Sequence, residues 1–319
     1  MCDLEISTNI CTIVDISTNK IKYKGYYGNN QRNGNGKTYD ENGTIKYEGE
    51  WKDDKLNGNG KSYDENGTIK YDGEWKDDKR NGNGKEFYEN DTIKYDGEWR
   101  DDKFNGNGKF YDEKGKIRYY GEWTDGKRND NGKFYDENNI IRYDGEWKDD
   151  NPDGNGKSFY ENGTIQYDGE WSNCKHNGNG KIYENGTIQY DGEWTNDKRN
   201  GNGKFYENGN IQYDGEWRNC KRNGNGKTYY ENGIIHYAGK WEDGKPNGNG
   251  QAFYENGTIR YDGCWKSGKI DGYGKMYHIN GNIHYNGEWT NDKRNGNGII
   301  YDENNNILYD GKFKDNKMI

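Results

Sequence analysis

A fifteen-residue pattern, YDGEWKDDKRNGNGK at residues 71–85, returns along almost the whole chain with a tyrosine at its head. The opening tyrosines are Tyr23, Tyr47, Tyr71, Tyr95, Tyr119, Tyr143, Tyr167, Tyr190, Tyr213, Tyr237, Tyr261, Tyr285 and Tyr309. Ten of the twelve intervals between them are 24 residues and two are 23. All 11 tryptophans stand four residues after an opening tyrosine, and only the end units differ, with Tyr27 and Phe313 in that place. A unit this short buries too little apolar surface to offset its own ordering entropy, so each must be covered by its neighbours. The period therefore demands a repeat array.

The alternation inside the unit says what is repeated. Ile45, Tyr47, Gly49 and Trp51 share one face of an extended segment, and Lys46, Glu48 and Glu50 share the other, which is the signature of a half-buried strand. The charged run Lys52-Asp53-Asp54-Lys55 makes a turn. A second strand follows from about Gly58 to Tyr63, and Asp64-Glu65-Asn66-Gly67 returns the chain to the next unit. The two short units lose one residue just before this return turn, as in Tyr183-Glu184-Asn185-Gly186, where a turn or bulge absorbs the loss without reversing the next strand.

Glycine packs nothing in a strand, so Gly49, Gly58 and Gly60 need a reason. A missing Cβ opens a slot in which a neighbouring Tyr or Trp ring lies flat against backbone. Tyr63 and its copies fall on the same face as Lys61 by strict alternation. Either a bulge intervenes or the lysine stem packs along the rings.

The fold class expected is all-β: an elongated single array of about thirteen stacked antiparallel hairpins, 23–24 residues each, on the order of 120 Å long at ~4.8 Å per strand. Residues 1–22, with the apolar segment Cys11-Thr12-Ile13-Val14, are expected to cap its N-terminal end. Residues 23–319 form the array, closed by a truncated unit from Tyr309. Composition would suggest disorder: only 28% of residues are hydrophobic, 32% are charged and 49 are glycine. Disordered chains are poor in aromatics, however, and here 11 Trp, 30 Tyr and 8 Phe are placed with strict regularity.

The pattern Y-x-G-x-W-x-x-G-K-x-x-G-x-G closely resembles the MORN (membrane occupation and recognition nexus) repeat. The likeness extends over about 297 of the 319 residues. The chain departs from it at the glycine before the lysine, which here is usually Asp (Asp54, Asp78, Asp102) or Cys (Cys174, Cys220) and survives at Gly126, Gly244 and Gly268. Asp130 replaces the first glycine of a G-x-G pair. The Tyr-x-x-Asn-Gly turn is similar to a divergent variant found in bacterial proteins. The resemblance implies a hairpin array acting as an interaction platform, in several members near membranes or in homodimers. Other members add a lipid kinase or methyltransferase domain, for which nearly continuous repeats leave no room here.

Chemistry-bearing motifs fail one by one. His176, His236, His278 and His284 have no nucleophile placed beside them by a recognisable motif. His278 and His284 flank one turn and could meet across it, but two ligands do not make a zinc site. The G-N-G-K-[ST] strings lack the earlier glycine of a phosphate loop, having Gln31, Lys55, Asn151 and Lys221 there. Residues 149–154 open like a calcium loop, but Tyr160 stands where its closing Glu belongs. Paired carboxylates such as Asp53-Asp54 read as a solvated face. Sequons at Asn42, Asn66, Asn90, Asn162, Asn185 and Asn256 all lie in the return turn and read as turn chemistry. Five cysteines make no disulfide framework, since Cys174 and Cys220, two units apart, would sit about 19 Å from each other. That usage points to the reducing cytoplasm, with at most a peripheral place at a membrane. The start of the chain has no basic and long apolar leader, and no apolar run is long enough to span a bilayer.

The expected function is therefore a non-catalytic scaffold with no cofactor or metal, binding an unidentified protein partner or a second copy of itself. A phospholipid surface is the alternative, and the net charge of −9 argues against nucleic acid and weakens attraction to anionic lipid. The ring positions expected to build the array and line its surface are Tyr71, Trp75, Tyr95, Trp99, Tyr119, Trp123, Tyr143, Trp147, Tyr167 and Trp171.

Overall fold

The computed structural model describes residues 9–319, so residues 1–8 of the expected cap lie outside the described residues. Among the described residues there are 27 strands and no helix. The chain divides into two compact units, Met1–Gly163 and Thr164–Ile319. The first holds β1 (Asn9–Asp15) to β13 (Asn151–Phe159) and the second β14 (Ile165–Ser172) to β27 (Lys317–Met318). Within each unit every strand pairs antiparallel with the strand before and after it. At the start of the first unit, β1 pairs with β2 (Lys20–Gly28), and Ile13 packs on the cluster of Tyr23, Tyr47 and Trp51.

One repeat explains the rest. In β4 (Ile45–Lys52) and β5 (Lys55–Tyr63), Gly49 lies opposite Gly60, and Gly60 lies opposite Gly73 of β6 (Ile69–Lys76). Such pairs continue from Gly25 to Gly156 in the first unit and from Gly169 to Gly311 in the second. A Cβ on Gly49 would meet the Cα of Gly60 and the carbonyl of Asn59, and a Cβ on Gly60 would run into the Tyr47 ring. These two glycines do open a slot for the ring. Gly58 differs from the expectation. Its φ is +72°, and the group above it is the Glu50 carboxylate, which accepts the Asn59 N–H at 3.0 Å. The pairing slips between Gly49 and Trp51, so Gly58 supplies a left-handed residue to a bulge and Glu50 caps it.

A second bulge resolves the Tyr63 question. Ser62 lies opposite Tyr71 while Tyr63 lies opposite Ile69, which leaves Lys70 as the extra residue. The face away from the rings carries cross-strand pairs such as Lys61–Asp72 at 3.1 Å and Lys133–Asp144 at 3.1 Å. In the short units the return turn shrinks to Asn185-Gly186, both at positive φ, and Glu184 pairs with Thr187, so register is kept.

The charged turns are more than a solvated face. Asp77 and Asp78 have φ of 50° and 69°, the left-handed pair of a two-residue hairpin turn. Asp78 donates its N–H to the Leu56 carbonyl (3.1 Å) and accepts the Leu56 N–H on Oδ1 (2.8 Å). Asp77 accepts from Lys55 at 3.4 Å. The same reach to the preceding turn recurs at Asp102 with Arg80 and Asp150 with Arg128, and in the second unit at Asp197 with His176 and Asp292 with Ile270. Hydrogen bonds from Arg32 hold the Asp54 carboxyl below the usual carboxylate range. The second turn residue is thus left-handed and also ties one hairpin to the last, and Asp fills both needs where glycine fills only the first. Cys220, at φ 65°, keeps the backbone bond to Arg199 (3.0 Å) but carries no carboxylate. Cys220→Asp is expected to stabilise the second unit by about 1 kcal/mol, through a capped Arg199 N–H and an ion pair. Urea unfolding beside the parent chain checks it, and an unchanged midpoint would deny the turn a tying role.

Candidate functional site

The ten ring positions singled out from the sequence lie in the interior of the ring face. Tyr71, Tyr95, Tyr119, Tyr143, Tyr167, Trp99, Trp123 and Trp147 are buried, and Trp75 and Trp171 are half-buried. Tyr71, Tyr95, Tyr119 and Tyr167 each meet their own tryptophan and the next one edge to face. Tyr95, for example, lies 5.2 Å from Trp99 and 5.7 Å from Trp123 at interplanar angles of 83° and 84°. Tyr71 does the same with Trp75 (5.1 Å) and Trp99 (5.3 Å). Edge-to-face geometry sets the positive ring edge against the negative ring face, adding about 0.5–1.5 kcal/mol per pair to area burial.

Both polar handles are satisfied. The Tyr71 hydroxyl donates to the Glu74 carbonyl (3.0 Å), and the Trp99 indole N–H donates to the Gly84 carbonyl (3.0 Å). Burial raises the tyrosine pKa values along the stripe, and pushes Tyr237 and Tyr285 up to about 12.

Because the rings are interior, the residues above them decide what the ring face shows. One is the residue after the turn lysine. Arg32 covers Trp51 (3.9 Å), Arg80 covers Trp99 (4.1 Å) and Arg128 covers Trp147 (4.3 Å). Arg128 is held there by Asp150 at 3.0 Å. At Phe104 the cover is a ring, stacked on Tyr95 at 3.9 Å and 10°. The other is the second residue after the G-x-G pair, polar at Ser62, Glu86 and Ser158 but Phe at 110 and 134.

These variable positions meet in the first unit, around β9 (Lys103–Tyr111), β10 (Ile117–Thr124) and β11 (Lys127–Tyr135). They line a groove of about 840 Å³ together with Trp123, Arg118 and Arg128. Phe104 lies 5.2 Å from Trp123 and 6.4 Å from Phe110. Arg118 and Arg128 each lie 5.8 Å from the Phe134 ring centre. Sequence reasoning missed this site because it followed what every unit shares. Three phenylalanines close together, at positions that in the two preceding repeats hold Leu, Arg, Ser or Glu, were the available signal.

The other candidate groups have structural surroundings. His176 stacks on Tyr167 at 3.9 Å beside Asp197, and desolvation pushes its pKa down. His278 and His284 do meet across their turn, Nε2 to Nδ1 at 3.2 Å. Among the described residues no three His, Cys, Asp or Glu side chains are grouped to hold a metal. Asp149 and Asp150, from the calcium-like string, accept from Lys127 (2.9 Å) and Arg128 (3.0 Å) of the preceding turn. The Gly-Asn-Gly-Lys strings lie within strands, where no helix end can receive a phosphate.

Among solved structures, the Photorhabdus luminescens Tc holotoxin pore carrying the TccC3-D651A mutation is similar over 85% of this chain at 9% identity and a TM-score of 0.14. This chain spans 14% of the length of that one, and the likeness carries no argument. Among curated proteins none matches this chain. The family model described as MORN repeat matches residues 47–69, 71–93, 95–117, 119–139, 143–165, 167–188, 190–211, 213–235, 237–259, 261–283 and 285–307. A MORN repeat variant matches residues 32–53. With most of its length in such units, each of the eleven opening on the tyrosine that enters the glycine slot, the chain belongs to the MORN repeat family.

Proposed function

We propose that this repeat protein is a non-catalytic scaffold that holds a protein partner, another protein or a second copy of itself, on the ring face of its first unit. The observation that carries the reading is the groove: Phe104, Phe110 and Phe134 occupy positions that are mostly polar or aliphatic in neighbouring repeats, and they lie beside two arginines. Aromatic and arginine side chains grouped in one partly enclosed depression are what protein interfaces concentrate at their centres. A lipid-binding role would draw on the tryptophans, but Trp99 is 3% exposed and Trp123 7%, so those rings are engaged in packing. Among the described residues no helix is long and apolar enough to cross a membrane.

Comparative capture tests the reading. The full chain, a Phe110→Ser/Phe134→Ser variant and a Lys70→Ser control are each immobilised, and circular dichroism verifies their folds. Sedimentation of each reports self-association, and flotation with phosphatidylserine vesicles reports lipid binding. The expected result is a set of proteins, or self-association, retained by the control and lost by the double variant, with no flotation. Capture and self-association unaffected by the double substitution, or flotation of the folded chain, would overturn the proposal.

A further inference from the structure

The groove also holds a cation among its rings. At the position before the opening tyrosine, three basic side chains of the first unit are ion-paired, Lys22 with Asp15 (2.5 Å), Lys94 with Glu86 (3.5 Å) and Arg142 with Asp136 (3.6 Å), whereas Lys46 and Lys70 have no such pair among the described residues. Arg118 occupies the same position and has no ion-pair partner among the described residues. The acid that serves Lys94 is Glu86, and the residue in its place beside Arg118 is Phe110. Beside Arg118 that position thus offers a ring where beside Lys94 it offers an anion. The other charges of the groove are engaged or peripheral. Arg128 is paired with Asp150 (3.0 Å) and Lys116 donates to the Glu137 carbonyl (2.7 Å), while Asp112, the counterpart of Asp136, accepts the N–H groups of Lys114 and Lys116 in its own turn and makes no ion pair with Arg118. Glu113, Lys114 and Glu137 stand exposed on return turns at the rim.

We propose that the groove receives an acidic segment of a partner protein in which an Asp or Glu lies next to an aromatic or large aliphatic side chain. The proposal rests on the scaffold reading above and names the partner's chemistry. The Arg118 guanidinium takes the carboxylate through its planar fork, and the apolar side chain enters between Phe110 and Phe134. A guanidinium half-buried against rings favours a carboxylate more than a solvated lysine does, because little water must be displaced from it. The cavity, about 840 Å³, has room for a few side chains and not for a folded domain. The chain as a whole carries −9, so the preference for an acidic segment is local to this groove and runs against the general field.

Three fluorescein-labelled octapeptides provide the test, read by fluorescence anisotropy on the full chain. In the first, Phe and Leu alternate with Asp; in the second, Lys replaces Asp; in the third, Ser replaces Phe and Leu. The first is expected to bind roughly tenfold tighter than either of the others. Arg118→Glu is expected to reverse the preference between the acidic and basic peptides. Gln212→Glu, at the same repeat position in the second unit, is expected to change nothing. An unchanged preference in Arg118→Glu, displacement of the peptide by phosphatidylserine vesicles, or no binding by any peptide would overturn the inference. If capture in the preceding experiment still depends on Phe110 and Phe134, the scaffold reading survives that failure.

Discussion

Gly84→Ala is expected to cost about 3–5 kcal/mol and to unfold the surrounding repeats, although it adds a single methyl group. The new Cβ would fall well inside contact distance of the Tyr71 hydroxyl and ring. That ring cannot move aside, because Trp75 and Trp99 hold it on two sides at 5.1 and 5.3 Å. Displacing it would also break the bond from its hydroxyl to the Glu74 carbonyl (3.0 Å) and leave a buried polar group unpaired. In a stack where each repeat is covered only by its neighbours, the loss of one exposes two. Gly28→Ala is the control, since a Cβ there meets nothing within 4 Å and needs no left-handed backbone. Urea titrations followed by circular dichroism should show a large loss for Gly84→Ala and none beyond ~0.5 kcal/mol for Gly28→Ala. Equal midpoints would mean that the glycine row is not a ring slot.

Alkaline pH should unfold the protein abruptly just above pH 10. Burial raises the pKa of ten stripe tyrosines far above the ordinary value, to about 12 at Tyr237 and Tyr285. Above pH ~10 the unfolded chain releases these protons while the folded chain keeps them, so the unfolded state binds fewer and stability falls as pH rises. Below pH ~10 both states hold the proton and stability is unaffected by these groups. The full slope is about 1.4 kcal/mol per pH unit for each tyrosine, and about half that is reasonable for hydroxyls that are only part-buried. Ten then remove about 7 kcal/mol per pH unit, comparable with the whole stability of a typical domain. Tyrosine ionisation at the phenolate absorption band and circular dichroism should therefore change together over a narrow pH range. Gradual ionisation with the strand signal intact would place the rings in water.

The fold was largely legible because two constraints coincide at one residue. The opening tyrosine must be aromatic to bury area and must face a glycine to fit, so its period marks the hairpins directly. Gly58 was harder, since a glycine required by φ and one required by space look alike in sequence; the Glu50 carboxylate above it separates the two. The Asp pairs resembled solvent-exposed charge because their partners lie about one repeat away, as Leu56 does from Asp78. The bulge beside Tyr63 was one of two readings open in the sequence, and that Lys70 is its extra residue shows only in the strand pairing. The groove escaped for the opposite reason to the fold. Phe104, Phe110 and Phe134 are not dictated by the ring-and-glycine repeat, Arg118 stands at a place that is basic in several units, and only the pairing of neighbouring strands shows that the four meet.

Hydrogen exchange at the tryptophan indole N–H groups, followed by NMR on the full chain, addresses the ring stack most directly. If edge-to-face tyrosines and tryptophans over a glycine row hold the repeats together, the indoles of Trp99, Trp147, Trp217 and Trp241 will exchange as slowly as the strand amides beside them. Indoles that exchange at the rate of a free peptide, while those amides stay protected, would show a sheet that stands without its rings.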